Sequence, residues 1–147
     1  MRVTKAQVEA NRAHIVETAS KLFREHGYDG VGVAEHMAAA GFTHGGFYKH
    51  FRSKADLIAE ATASGMSQTE AKNGNLDVAE FFSRYLSRGH RDARSIGCTL
   101  AALSGDAARQ SETLKTTFST GIESLLAALE RESVTSVGDD RQQVRAK

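Results

Sequence analysis

The sequence predicts an all-α fold, a three-helix head followed by a second helical module. Three observations predict it. Apolar residues recur at three- and four-residue spacing along nearly the whole chain, and no stretch alternates as a half-buried strand does. The 147 residues contain no proline, so nothing breaks a helix from within. Interruptions fall instead at glycines and at Ser, Thr or Asp residues placed where helices are capped.

Taken in order, residues 1–5 read as a short polar arm with Arg2 and Lys5. The first helix is expected over 6–26, with Val8, Ile15, Ala19, Leu22 and Phe23 as its buried stripe and Gly27 as its end. Tyr28-Asp29-Gly30 forms a turn, and Gly32 caps a second helix that sets Val33, Met37 and Ala40 on one face. Gly41 stands where a helix C-terminus takes a left-handed residue. Phe42 fills the space between two helices, and the Thr43 side chain is placed to cap a third, short helix over 44–51. There Phe47 and Phe51 read as core, beside Phe23 and Leu57. Ser53 caps a fourth helix, with Leu57, Ile58 and Ala61 inward, that runs to about Thr69 before the loop Lys72-Asn-Gly-Asn75.

Asp77 caps a fifth helix carrying Val78, Phe81, Phe82, Tyr85 and Leu86, closed by Gly89. A sixth spans 97–109 with Leu100, Leu103 and Ala107. Ser111 caps a seventh over 114–131, whose stripe is Leu114, Phe118, Ile122, Leu125, Leu126 and Leu129. Residues 133–147 form a polar tail in which Asp139-Asp140 read as the start of one more helix. The expected division is a head at 1–54 and a module at 55–147, joined by a connecting helix at 55–72.

The net charge of +1 hides an asymmetry. Residues 1–54 hold eight Lys/Arg, five Asp/Glu and five of the six histidines; residues 55–147 hold eleven Lys/Arg and thirteen Asp/Glu. A mildly basic head suits a polyanion. The single cysteine, Cys98, excludes an intramolecular disulfide and a multi-cysteine zinc site. No apolar run reaches the roughly 18 residues of a membrane span and no secretory leader is evident, so a cytoplasmic protein without membrane contact is expected. No Ser/His/Asp set, carboxylate pair, phosphate loop or metal-ligand spacing stands out, so no enzyme, cofactor or metal is expected. His14, His26 and His36 read as surface or cap residues.

Helix, tight glycine turn and second short helix over 33–54 form a helix-turn-helix pattern, whose second helix is able to enter a major groove. Gly41-Phe-Thr-His-Gly-Gly-Phe-Tyr48-Lys-His-Phe51-Arg-Ser-Lys54 resembles the tetracycline-repressor (TetR/AcrR) family of transcription regulators. Ile15-Val-Glu-Thr-Ala19-Ser-Lys-Leu22-Phe23-Arg-Glu-His-Gly27-Tyr28 resembles that family's first helix, and the likeness covers residues 12–58. A less specific likeness, through Tyr85–Asp92 and Gly97–Arg109, extends it to about residue 130.

The resemblance implies roles for particular residues. Tyr48 and Lys54 match phosphate-contacting positions, and Thr43 matches a capping position near the DNA backbone. His44, Gly45, Gly46, Lys49 and His50 match the exposed face of the recognition helix. A lysine there donates to guanine O6 or N7, a contact worth ~1–3 kcal/mol of discrimination. Gly45 and Gly46 each cost a helix of order 1 kcal/mol, which close backbone approach to DNA would justify; a turn that stays loose until bound is the other reading. One departure concerns the second helix: the family's phosphate-binding Ser or Thr is replaced by Val31, Gly32, Val33 and Ala34, which leaves only backbone N–H groups.

For the second module the resemblance implies a small-molecule pocket, with Phe82, Tyr85, Cys98 and Phe118 as candidate lining residues, and release of DNA on binding. Plain core packing is the other reading of the aromatics. Cys98 at a helix start is either a reactive thiol or a small buried hydrophobe. The family also has two further long helices that pair in a dimer, so the module is expected to be incomplete at its C-terminus. The expected function is a ligand-responsive repressor of a palindromic double-stranded DNA operator, acting as a homodimer and released by a small-molecule or electrophile inducer. The alternative is a truncated helical interaction or small-molecule-binding protein with weak operator binding.

Overall fold

Helix α1 (Lys5–His26) is capped by Thr4, whose hydroxyl accepts from the Gln7 N–H at 3.2 Å. It ends at Gly27, where φ is 78° and the N–H donates to the Phe23 carbonyl at 2.8 Å. The computed structural model describes the backbone of residues 4–145 and the side chains of 4–131, so Arg2 of the expected arm lies outside the described residues. Ile15, Ala19 and Phe23 are buried as their spacing requires. Val8 is not part of that stripe: residues 4–10 are exposed throughout, because no described residue from another element packs over the first turns of α1.

Helix α2 (Val33–Ala39) buries Met37 and ends in paired capping bonds. Gly41, at φ 81°, donates to the Ala38 carbonyl at 3.0 Å, and Phe42 donates to Met37 at 2.8 Å. This two-bond ending requires a left-handed residue at position 41. His36 corrects an expectation. It is fully buried, its ring 4.4 Å from Phe23, rather than on the surface.

The expected third helix is a 3-10 helix, His44–Lys49, two residues shorter than the spacing suggests. Two consecutive glycines remove the helix preference that would hold a full α-turn, and a short tight 3-10 turn is the result. Thr43 occupies the capping position, but its hydroxyl makes no capping bond; its carbonyl accepts from Gly46 N–H at 3.0 Å instead.

Helix α3 (Lys54–Asn73) starts at Ser53, whose hydroxyl accepts from Asp56 N–H at 3.2 Å, and buries Leu57, Ile58 and Ala61. It runs from the head into the second module. The fifth predicted helix divides in two. Helix α4 (Val78–Tyr85) is held by a reciprocal Asp77–Glu80 cap, and α5 (Arg88–Asp92) starts where Ser87 accepts from His90 N–H at 3.1 Å. The serine cap ends the first helix before Gly89, which lies inside the second. A 3-10 turn, Arg94–Ile96, leads to α6 (Thr99–Ala107).

Helix α7 (Glu112–Arg145) is 34 residues long, roughly 51 Å at helical rise. It begins two residues earlier than expected and passes through Asp139-Asp140 without a break, so no separate terminal helix exists there. The side chains of the polar tail lie outside the described residues. Leu114 and Phe118 are buried, whereas Ile122 and Leu126, next on the same stripe, are exposed. One continuous apolar cluster joins Phe23, Met37, Phe47 and Phe51 of the head, through Leu57 of α3, to Leu103, Leu114 and Phe118 of the module.

Candidate nucleic-acid interface

The 3-10 helix is fastened from beneath by two aromatic rings. Phe47 and Phe51 are buried and stacked, their centroids 5.4 Å apart. With the inner face so held, the outer face carries Thr43, His44, Gly45, Tyr48 and Lys49, all exposed. Tyr48 is 69% exposed, set edge-on to Phe47 at 5.2 Å. An aromatic with a hydroxyl left this open is available to a partner rather than to the core. Gly46 is half-buried over Met37, and Lys54 is half-buried at the first turn of α3.

His50 is placed differently from the other expected contacts. It is half-buried, with its ring 6.5 Å from Phe42 and 6.3 Å from Phe51. Burial holds its pKa below the ordinary histidine value, and the nearby Arg12 and Lys49 cations push the same way. The ring therefore leans into the head, and its neutral form is favoured.

Two residues that sequence reasoning missed hold this end of the turn. Arg12 on α1 forms a two-pronged pair with Glu60 on α3, donates to the His50 carbonyl at 3.3 Å, and lies 4.6 Å over the Phe51 ring. Arg12 thus ties α1 and α3 to the end of the 3-10 turn. Partners 38 and 48 residues away leave no local trace in a sequence. At the other edge of the head, Glu35 folds back to accept from Gly32 N–H at 2.8 Å. A carboxylate therefore sits at the start of α2, beside the position where the sequence leaves only backbone donors for a phosphate.

The second module holds a cavity of about 1120 Å³ between α3, α4, α5, α6 and α7. Of the expected lining residues, Tyr85 and Cys98 are on its wall. Phe82 is 43% exposed and outside it, and Phe118 is buried in the common core. Phe81 takes the place expected for Phe82, and its four-residue spacing from Tyr85 carries that signal in the sequence. Phe81, Tyr85 and His90 form a file of rings, 5.5 and 4.6 Å apart. His90 Nε2 accepts the Cys98 N–H at 3.2 Å, which assigns the ring proton of neutral His90 to Nδ1. Burial raises the Tyr85 hydroxyl above its ordinary value, and the hydrogen-bonded Cys98 thiol adds to the shift. Among the described residues no group of three metal-ligating side chains occurs.

The fold and the exposed turn define an all-α protein with a helix-turn-helix head on a cavity-bearing helical module. Residues 15–61 match the family described as "Bacterial regulatory proteins, tetR family". Over those residues, the helix-turn-helix head, the chain is similar to that family. It is 39% identical over 59 residues to the HTH-type transcriptional regulator AcrR of Shigella flexneri, covering 40% of this chain and 27% of the relative. It is 32% identical over 79 residues to the HTH-type transcriptional repressor AcnR of Corynebacterium diphtheriae, covering 52% and 42%. The chain therefore spans less than half the length of these relatives. A TetR-family transcriptional regulator from Agrobacterium tumefaciens superposes with a TM-score of 0.72 at 21% identity, over 88% of this chain and 74% of that one. The reduced form of E. coli NemR superposes with a TM-score of 0.65 at 22% identity, over 88% and 72%. These two structures bear on the fold alone.

Proposed function

We propose that the chain is a DNA-binding transcriptional regulator, a repressor of a palindromic operator, released when a small molecule or electrophile occupies the cavity of the second module. The observation that carries this reading is the exposed turn: His44, Tyr48 and Lys49 face outward from a segment anchored by buried Phe47 and Phe51. Tyr48 and Lys54 contact phosphates and set position, while Lys49 reads a base edge. His44 and the two glycines lie against the groove, and His50 contributes through its backbone more than its ring. A homodimer sets two such turns about 34–36 Å apart in successive major grooves. The protein acts in the cytoplasm; no helix among the described residues is long and apolar enough to cross a membrane. The relatives' names, regulators and repressors of transcription, support the same reading.

A second reading, a helical small-molecule-binding protein with weak operator affinity, is favoured by the size of the cavity, about 1120 Å³. Selection of bound sequences from a random DNA pool separates the two. An inverted repeat supports the repressor; isolated half-sites or background recovery support the second reading. On the selected site, Tyr48→Ala and Lys54→Ala weaken binding to every sequence alike, whereas Lys49→Ala relaxes preference at one position by ~1–3 kcal/mol. A uniform loss for Lys49→Ala would remove it as a base reader.

A further inference from the structure

Arg24 is a buried cation, 5% exposed, near the C-terminal end of α1. Among the described residues it has no carboxylate partner. Its Nε donates to the Ser95 carbonyl at 2.6 Å, and its Nη1 donates to the Thr99 hydroxyl at 3.2 Å. Burial lowers its pKa, as expected for a desolvated guanidinium. A buried charge is costly unless its donors are well met, so packing alone is a poor reason for an arginine here.

The place it holds is informative. Ile96, Gly97, Cys98 and Thr99 form part of the cavity wall. On the cavity side, His90 Nε2 accepts the Cys98 N–H. On the head side, Arg24 grips both flanks of the same strip, at Ser95 and Thr99. Gly65 of α3 leaves room for this junction: a Cβ there would lie 2.5 Å from Thr99 Oγ1 and 2.8 Å from both Arg24 Nη1 and Ser20 Oγ. Further along α1, Arg12 holds the end of the recognition turn. One rigid helix thus grips the cavity wall near one end and the DNA-facing turn toward the other.

We propose that Arg24 is a positioning residue that carries displacement of the cavity wall at Ser95–Thr99 into α1 and so into the recognition turn. The proposal rests on the reading above that cavity occupancy and DNA binding are linked. Its two hydrogen bonds, one short at 2.6 Å and one of 3.2 Å, are directional, so a wall that moves outward pulls the guanidinium with it or breaks from it. Either outcome changes where α1 sits against α3, and Arg12 passes the change to His50. An apolar residue in the same place would let the wall slide.

The test uses the full chain, with Cys98, its one cysteine, as a handle on the wall. Wild type and Arg24→Met are treated with N-ethylmaleimide, and a single adduct is verified by mass; if the thiol does not react, Cys98→Phe serves as the wedge. Two readouts are taken: hydrogen exchange across residues 44–54, and affinity for the selected duplex at low salt. In wild type the wedge is expected to speed exchange in 44–54 and lower affinity on the order of tenfold, a typical coupling. In Arg24→Met the wedge disturbs 93–99 only, and affinity stays within about twofold of the unwedged variant, well below the usual coupling range. Arg24→Lys restores part of the response, which a merely structural role would not predict. If Arg24→Met fails to fold, Thr99→Val, which removes one of the two wall contacts, is expected to weaken the response in its place. An equal response in both proteins, or none in the head of wild type, overturns the proposal. Coupled exchange without DNA binding would overturn the DNA reading and leave the coupling standing.

Discussion

Replacing His36 with leucine is expected to stabilise the chain and to remove an acid-sensitive part of its stability. His36 is fully buried on α2, and neither ring nitrogen has a hydrogen-bond partner. Burial favours the neutral ring and pushes its pKa down to about 4; the Lys54 cation adds to this, against a smaller opposing pull from Glu35. In the unfolded chain a histidine titrates near about 6.5. As pH falls, the unfolded chain therefore takes up this proton first. The stability that the neutral ring contributes is complete above about pH 6.5 and is lost as pH falls toward about 4. The gap corresponds to roughly 3 kcal/mol. Leucine has a similar volume and does not titrate. At neutral pH it also relieves an unpaired buried polar group, a gain of ~1–3 kcal/mol. Urea unfolding followed by far-ultraviolet circular dichroism, from about pH 7.5 to about pH 4, measures both effects. The advantage of His36→Leu over wild type is expected to widen by roughly 3 kcal/mol across that range. A constant difference would mean that the ring is solvated or paired in solution, and would refute the reasoning.

Two further outcomes follow from the glycines. Gly65→Ala forces a Cβ to within 2.5 Å of the buried Thr99 hydroxyl, so thermal unfolding is expected to show a loss of about 1–3 kcal/mol despite alanine's better helix preference; an unchanged midpoint would contradict the close crossing of α3 and α6. At Gly45 an added Cβ meets nothing within 4 Å, and at Gly46 it meets Met37 Cε at an ordinary 3.6 Å. The double alanine variant is expected to keep or raise stability, by up to about 1 kcal/mol per site, while DNA affinity falls because the backbone no longer approaches the duplex. Retained affinity would show that the two glycines serve the turn alone.

What the sequence by itself determined are the features settled within a few residues. Gly41 adopts the left-handed conformation its position asks for, because the two capping bonds around it span only four and six residues of chain. Ser53 and Asp77 cap the helices they precede, through bonds to N–H groups three residues on. Phe47, Phe51, Leu57 and Ala61 are buried because helical spacing alone puts them on an inward face. The exposure of Tyr48 was legible through the same local pattern, since anchoring Phe47 leaves its neighbour outside. Tertiary structure decided the rest. The phase of α4 turned Phe81 rather than Phe82 to the cavity, and the packing of α1 against α2 enclosed His36. Arg12 met Glu60 across 48 residues, and Arg24 met Ser95 and Thr99 across 71 and 75. A capping bond depends on a few dihedrals within one turn of chain. An ion pair between distant helices or a cavity wall depends on which of their faces come together, and no short stretch of sequence holds that information.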